Sequence, residues 1–234
     1  MKRFYKDVAV SEAPFRILLD GRAVKTPARA ALELPTAALA EAVAEEWREQ
    51  GDEIVPDAMV LTKLANTALD RVATMREAVV GQVVAFLNDC LCYRAERPSG
   101  LAEQQAAEWD PLIAWVAERY GVTLTTRIGI LHFSQSDEAA AALRAAVEAF
   151  DDFTLTAAAT VAPIFGSLVL TLALVEGRLD AEGAFTLSTL DERFQAARWG
   201  QDEEAATRLA NLLAEVKSVE RFIRLAQVSA PTGA

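Results

Sequence analysis

Few side chains able to do chemistry stand at spacings that chemistry requires in this 234-residue chain. The single histidine, His132, lies between Leu131 and Phe133 in a segment that reads as β-type. A Ser-His-Asp triad would have to use it. No Gly-x-Ser-x-Gly elbow accompanies it, so a structural histidine is the favoured reading over a general base. Cys90 and Cys92 are the only cysteines. On a strand they would project from one face, but two thiols and one histidine do not complete a standard zinc site. Two reduced thiols are expected. Neither GxxxxGK[ST] nor GxGxxG after a strand occurs, so nucleotide binding has no support in the sequence. The 34 Asp and Glu residues permit an acid/base pair without selecting one. No cofactor and no metal are expected.

The most informative pattern falls between Ser188 and Trp199. Ser188, Glu192, Gln195 and Trp199 recur at i, i+4, i+7 and i+11, which places them on one side of a helix, with Asp191 next to Glu192. Ala184, Leu187, Leu190, Phe194 and Ala197 supply the buried side. A large ring beside a carboxylate and an amide suits a protein contact, the ring giving area and the polar groups direction. The structural alternative is that Trp199 caps the core and Glu192 forms an ordinary salt bridge. On residue physics alone that alternative leads, because charged residues flanking an apolar stripe are normal for an amphipathic helix.

These residues need a scaffold, and its centre is the run from Phe153 to Val175, 23 residues without a charge. Its length approaches a bilayer span, but its threonines, Ser167 and Pro163 and its acidic flanks predict a buried core helix and no membrane insertion. Pro163 is expected in the first turn of a helix. Upstream, the first 35 residues predict β-structure. Phe4 to Val10 forms one strand, Phe15 to Thr26 a hairpin turning at Asp20-Gly21, and Leu32 to Leu34 a third strand. Leu39, Val43 and Trp47 then mark a helix with an acidic stripe of Glu41, Glu45 and Glu49, ended by Gly51.

Further helices are predicted from Leu61 to Val72 and from a capping box at Thr74 to Glu77 onward to Leu87. Leu91 to Arg94 is expected to be extended. Leu101 to Tyr120 is helical, with a kink at Pro111 or a fresh start capped by Asp110. Val122 to Phe133 is the last β-type segment. Helices follow from Asp137 to about Phe150, through the core run, from Ala181 to about Trp199, and from about Asp202 to Gln227, before a disordered tail from Val228 to Ala234. The fold class is α+β: a small β-rich N-terminal domain with one helix, residues 1–55, joined to a mainly helical domain, residues 56–234, with short strands near 91–94 and 122–133.

The net charge of −11, from 23 basic and 34 acidic residues, argues against a general affinity for nucleic acid or anionic lipid. Partners are therefore proteins or small molecules.

Several further motifs are collinear along nearly the whole chain. They are Arg3-Phe4-Tyr5-Lys6, Leu18-Leu19-Asp20-Gly21-Arg22 with Val24-Lys25-Thr26-Pro27, Leu34-Pro35-Thr36, and Glu46-Trp47 with Gln50. They continue through Met59, Leu61-Thr62, Leu64 to Ala68, Asp70-Arg71-Val72, Leu91 to Arg94 and Trp109 to Leu112, then Gly166 to Leu170, Leu190-Asp191-Glu192, Gln195 and Trp199-Gly200. In this set the chain resembles the F1-ATPase assembly chaperones that act on the α subunit, a family shared by mitochondria and alphaproteobacteria.

The resemblance implies a protein that is not an enzyme, binds the free α subunit, and shields its interface until the β subunit replaces it. It implies a monomer when free, a cytoplasmic location in bacteria, and the mitochondrial matrix for eukaryotic relatives. It also directs attention to Leu190–Gly200, with Glu192 first, Gln195 and Trp199 next, and Trp47 structural. Where the family pattern carries Gln-Ile-Glu before Trp-Gly, this chain has Gln195-Ala196-Ala197-Arg198, and Gln201 replaces an acid. Two readings of other classes stand beside it: an acid/base enzyme using Asp191 or Glu192, and a general scaffold using the Glu41, Glu45 and Glu49 stripe.

Overall fold

The computed structural model describes residues 1–96, 99–200 and 202–227. The predicted tail from Val228 and the departure at Gln201 lie outside them. The chain divides into two compact units. The first holds Met1–Arg76, Asp151–Ala157 and the chain from Ser218 onward; the second holds Glu77–Phe150 and Ala158–Lys217.

The first unit opens with a four-stranded antiparallel sheet. Strands β1 (Val8–Val10) and β3 (Arg22–Ala23) flank β2 (Phe15–Leu19), and β4 (Glu33–Leu34) pairs with the other end of β2 through Phe15 and Leu34. The β2–β3 hairpin turns at Asp20-Gly21 as expected, both residues having positive φ (48° and 78°), the geometry a tight I′ turn needs. The Asp20 carboxylate also accepts from the Lys6 and Asp7 amides, bonds that hold it below the usual carboxylate range. Helix α1 (Ala37–Arg48) begins at Thr36, whose hydroxyl accepts from the Leu39 amide at 3.0 Å. Leu39, Ala40, Val43 and Ala44 are its buried face.

The acidic stripe of α1 has a partner within its own helix. Arg48 reaches back to Glu41 at 2.6 Å and Glu45 at 2.9 Å, and two offsetting contacts remove most of the self-repulsion. Helix α2 (Val60–Thr67) continues through one wide turn, Ala68–Val72, into α3 (Ala73–Val84). The capping box expected at Thr74 is absent. Its hydroxyl bonds back to the Asp70 and Arg71 carbonyls, Met75 leaves helical geometry (φ −128°), and Glu77 pairs with Arg144. A hydroxyl in mid-helix prefers the preceding turn's carbonyls when they are exposed by a wide turn. The unit is completed by a stacked pair, Phe153 and Phe222, with ring centres 6.0 Å apart.

In the second unit, Cys90–Cys92 form a single tight turn, and only Tyr93–Arg94 of the expected extended segment is a strand, β5. It pairs in parallel with β6 (Arg127–Ile128), all that forms of the predicted strand from Val122 to Phe133. Gly129, at φ 91°, turns the chain away. Helix α4 (Gly100–Tyr120) is continuous and carries Pro111 inside it; Ser99 caps it, and Asp110 ion-pairs with Arg94 at 2.8 Å instead of capping a new helix. Helix α5 spans Asp137–Glu148.

The predicted single core helix is two, α6 (Asp152–Phe165) and α7 (Leu168–Val175), and Pro163 lies in the last turn of α6. Gly166 adopts φ 61° at the break, and Ser167 caps α7 by accepting from the Leu170 amide at 3.0 Å. All eight residues of α7 are buried, so the prediction of an enclosed apolar helix holds for this half. The next predicted helix is likewise two, α8 (Ala181–Ser188) and α9 (Leu190–Trp199), followed by α10 (Glu203–Ala226). At the break Thr189 has φ −104° and ψ 16°, and its hydroxyl back-bonds to the Phe185 carbonyl at 2.9 Å.

Candidate functional site

Helix α9 is anchored at one end and open at the other. Leu190 is fully buried, whereas every residue from Ala197 to Gly200 is exposed, so the apolar stripe expected to run to Ala197 stops short. The five residues singled out in the sequence separate accordingly. Asp191 turns toward α4 and accepts from the Gln105 amide at 2.8 Å; buried Gln105 in turn accepts from the Ala95 backbone. Its position ties two helices together. Ser188 sits at the end of α8 and donates to the Phe185 carbonyl at 2.8 Å, away from the other residues.

Glu192, Gln195 and Trp199 do come together. With Ala196 they line one wall of a shallow cavity of about 270 Å³, whose other wall is supplied from the start of α10 by Ala205 and Leu209. Asp202 forms the corner and caps α10 by accepting from the Ala205 amide at 3.0 Å. Glu192 receives a hydrogen bond from Arg208 at 2.8 Å, with both side chains about half exposed. Trp199 is 78% exposed. That overturns the alternative in which the indole caps the core. The other half of that alternative stands, because Glu192 does form a salt bridge.

Arg208 was missed in the sequence because it lies 16 residues from Glu192 on another helix, and no periodicity connects residues across a turn between helices. Its effect is to hold the Glu192 carboxylate at the cavity wall while leaving one oxygen without that partner's bond.

Among the described residues that line the groove there is no Ser, Cys or His to act as nucleophile or base. His132 is exposed. Burial raises the Cys92 thiol to about 12 and the Cys90 thiol well above its ordinary range, so neither is a thiolate at neutral pH. Among the described residues no group of three His, Cys, Asp or Glu side chains could hold a metal ion, and no helix is long and apolar enough to cross a membrane.

Comparison with known proteins bears on the family and the fold. Residues 2–117 match the family model described as ATP12 chaperone protein. The mitochondrial protein atp12 of Schizosaccharomyces pombe is 26% identical over 219 residues, covering 87% of this chain and 75% of that protein. The crystal structure of Atp12 from Paracoccus denitrificans superposes with a TM-score of 0.92 at 41% identity, covering 97% of this chain and 98% of the other. Atu1473 of Agrobacterium tumefaciens gives 0.91 at 37%, covering 97% and 86%. With its α+β fold shared over nearly its full length at such identity, the chain belongs to the ATP12 chaperone family.

Proposed function

We propose that this protein is a molecular chaperone that binds the free α subunit of F1-ATPase and shields its interface until the β subunit takes its place. It works in the bacterial cytoplasm, by binding and without catalysis. Membership of the ATP12 family supports the chaperone role. The observation that carries the site is the exposed indole of Trp199 standing beside Glu192 and Gln195 over a shallow groove. A large ring held in water has area to give a partner, and the adjacent carboxylate and amide give the contact direction. Unpartnered interface surface on a free subunit invites aggregation, which a bound chaperone prevents. Asp191 and Ser188 serve the fold of α8 and α9 in this reading, and Glu192, Gln195 and Trp199 meet the partner.

Co-expression with the α subunit of the same organism, followed by size-exclusion chromatography with and without the β subunit, tests this. A stoichiometric complex that β dissociates is expected. Glu192→Lys should elute and melt like the parent chain yet fail to carry the α subunit, and a parent chain that never co-elutes with α removes the proposal.

A further inference from the structure

The first unit holds a cavity of about 630 Å³ bordered by the start of the chain, the β2–β3 hairpin and α1. Much of its lining is aromatic. Phe4 meets Tyr5 edge to face with ring centres 5.4 Å apart, and Tyr5 meets Trp47 in the same way at 5.7 Å. The Tyr5 hydroxyl is already used, donating to the Trp47 carbonyl at 2.6 Å. Leu19, Ala23 and Val24 extend the apolar surface. Two of the lining side chains stand in water although they are large and apolar, Met1 being 75% and Phe4 64% exposed. Apolar surface left open around a concavity favours a ligand that covers it.

Three charged side chains complete the lining, Asp20, Arg22 and Lys25. Asp20 is committed, its Oδ1 accepting from the Lys6 and Asp7 amides at 3.0 and 2.9 Å. Arg22 and Lys25 are exposed and make no ion pair among the described residues. The lining side chains therefore carry two cations against one carboxylate, a local positive excess in a chain of net charge −11. Both cations are open to a ligand that arrives from solvent.

We infer that this cavity binds a small aromatic carboxylate. The ring lies against Phe4 and Trp47, where edge-on or offset contact between rings adds to the area buried. The carboxylate pairs with Arg22 and Lys25 in charge-assisted bonds. The volume falls in the range of about 300–1,000 Å³ usual for small-molecule sites. A neutral ring leaves both cations unused, and a cationic one meets them as like charges. A polypeptide segment suits the lining less well, because its backbone amides need acceptors. Among the lining side chains only the Asp20 carboxylate is free to offer any, and two amides already hold it. The inference concerns the first unit and is independent of the groove between α9 and α10.

The test uses the full chain with naphthoate and naphthamide as probes, calorimetry for affinity, and the backbone amide resonances of Ala23 and Val24 for location. Naphthoate should shift those resonances and bind at least about tenfold more tightly than naphthamide, about 1.4 kcal/mol of carboxylate recognition. Arg22→Ala with Lys25→Ala, both at exposed positions, should abolish that preference and leave the melting temperature unchanged. Phe4→Ala should weaken both probes by a similar factor and keep the preference. A third probe, acetyl-Trp-Asp-amide, presents the same ring and charge on a peptide backbone and should bind more weakly than naphthoate. Equal affinity for the two naphthalene probes, a preference that survives without Arg22 and Lys25, or an unaffected Phe4→Ala variant would each overturn the site. So would naphthoate binding weaker than about 1 mM or shifts that spare Ala23 and Val24, and tighter binding of the peptide would overturn the assignment to a small molecule. None of these measurements involves the α subunit, so their failure is separate from failure of the proposed function.

Discussion

Glu46 caps a helix other than its own by gripping Thr62. From α1, its Oε2 accepts from both the Thr62 amide at 2.8 Å and the Thr62 hydroxyl at 2.7 Å, while Oε1 accepts from the Leu61 amide at 2.7 Å. Those are amides of the first turn of α2, which lacks a side-chain cap of its own from Met59. A carboxylate at a helix N-terminus meets unpaired donors and the positive end of the dipole together.

Glu46→Ala should therefore destabilise the first unit by about 3 kcal/mol, since it leaves part-buried donors unpaired and removes charge-assisted bonds. Glu46→Gln should recover less than half of that loss, because an amide can accept through only one oxygen. Chemical denaturation of the three proteins measures both values, and equal stability of Glu46→Ala and the parent chain would refute the cap.

At the α9 groove, stability and binding should separate. The Glu192–Arg208 pair is about half exposed on both sides, and exposed pairs contribute about 1 kcal/mol or less. Glu192→Lys should shift the melting temperature by no more than roughly 4 °C while removing α-subunit binding. Trp199→Ala should leave the melting temperature unchanged, remove the most quencher-accessible part of the tryptophan fluorescence, and weaken the same complex. A loss of folding in either variant would assign the groove to the core instead.

Acidity should matter at Asp89. This fully buried carboxylate accepts from the Leu91 and Val169 amides and the Ser167 hydroxyl, pinning the start of α7. Burial pushes it up to about 6 against the bonds from Val169, Leu91, Ser167 and Leu168 that favour its charged form. Because the folded chain binds this proton more tightly than the unfolded chain, its contribution to stability is full below the unfolded pKa. That contribution is lost as pH rises through about 6. Ser167→Ala removes one of the bonds favouring the anion and should steepen this loss, seen as a larger fall in melting temperature between about pH 4 and 7. An identical pH slope in the variant would rule out Asp89 as its source.

The break between α6 and α7 should depend on one residue. Gly166 has φ 61°, and a Cβ placed there meets nothing within 4 Å, so Gly166→Ala carries a backbone penalty alone. The expected cost is about 1 kcal/mol. A calorimetric melt checks it, and a neutral substitution would mean that the two helices join when the turn is relieved.

Local chemistry was legible in the sequence wherever its cause was local. Asp20-Gly21 specified the hairpin because both residues tolerate positive φ, and helical recurrence of apolar residues marked the buried faces of α1 and α2. The site was partly legible for the same reason. Helical spacing brought Glu192, Gln195 and Trp199 to one side, but spacing counts turns and says nothing of what lies opposite, so Asp191 and Ser188 were grouped with them although they serve other contacts.

The α+β class, the hairpin, the helix faces and, through the collinear motifs, the family were all readable from residue order alone. The tertiary structure was needed to place the break in the long apolar run, because beside the Gly166 turn buried Asp89 takes the Val169 amide that a continuous helix would use. It also decided that Arg208 meets Glu192, that Asp110 meets Arg94, and that Trp199 stands in water. Those contacts join elements distant along the chain, and their free energies arise from packing and from the pairing of buried donors, which no local periodicity encodes.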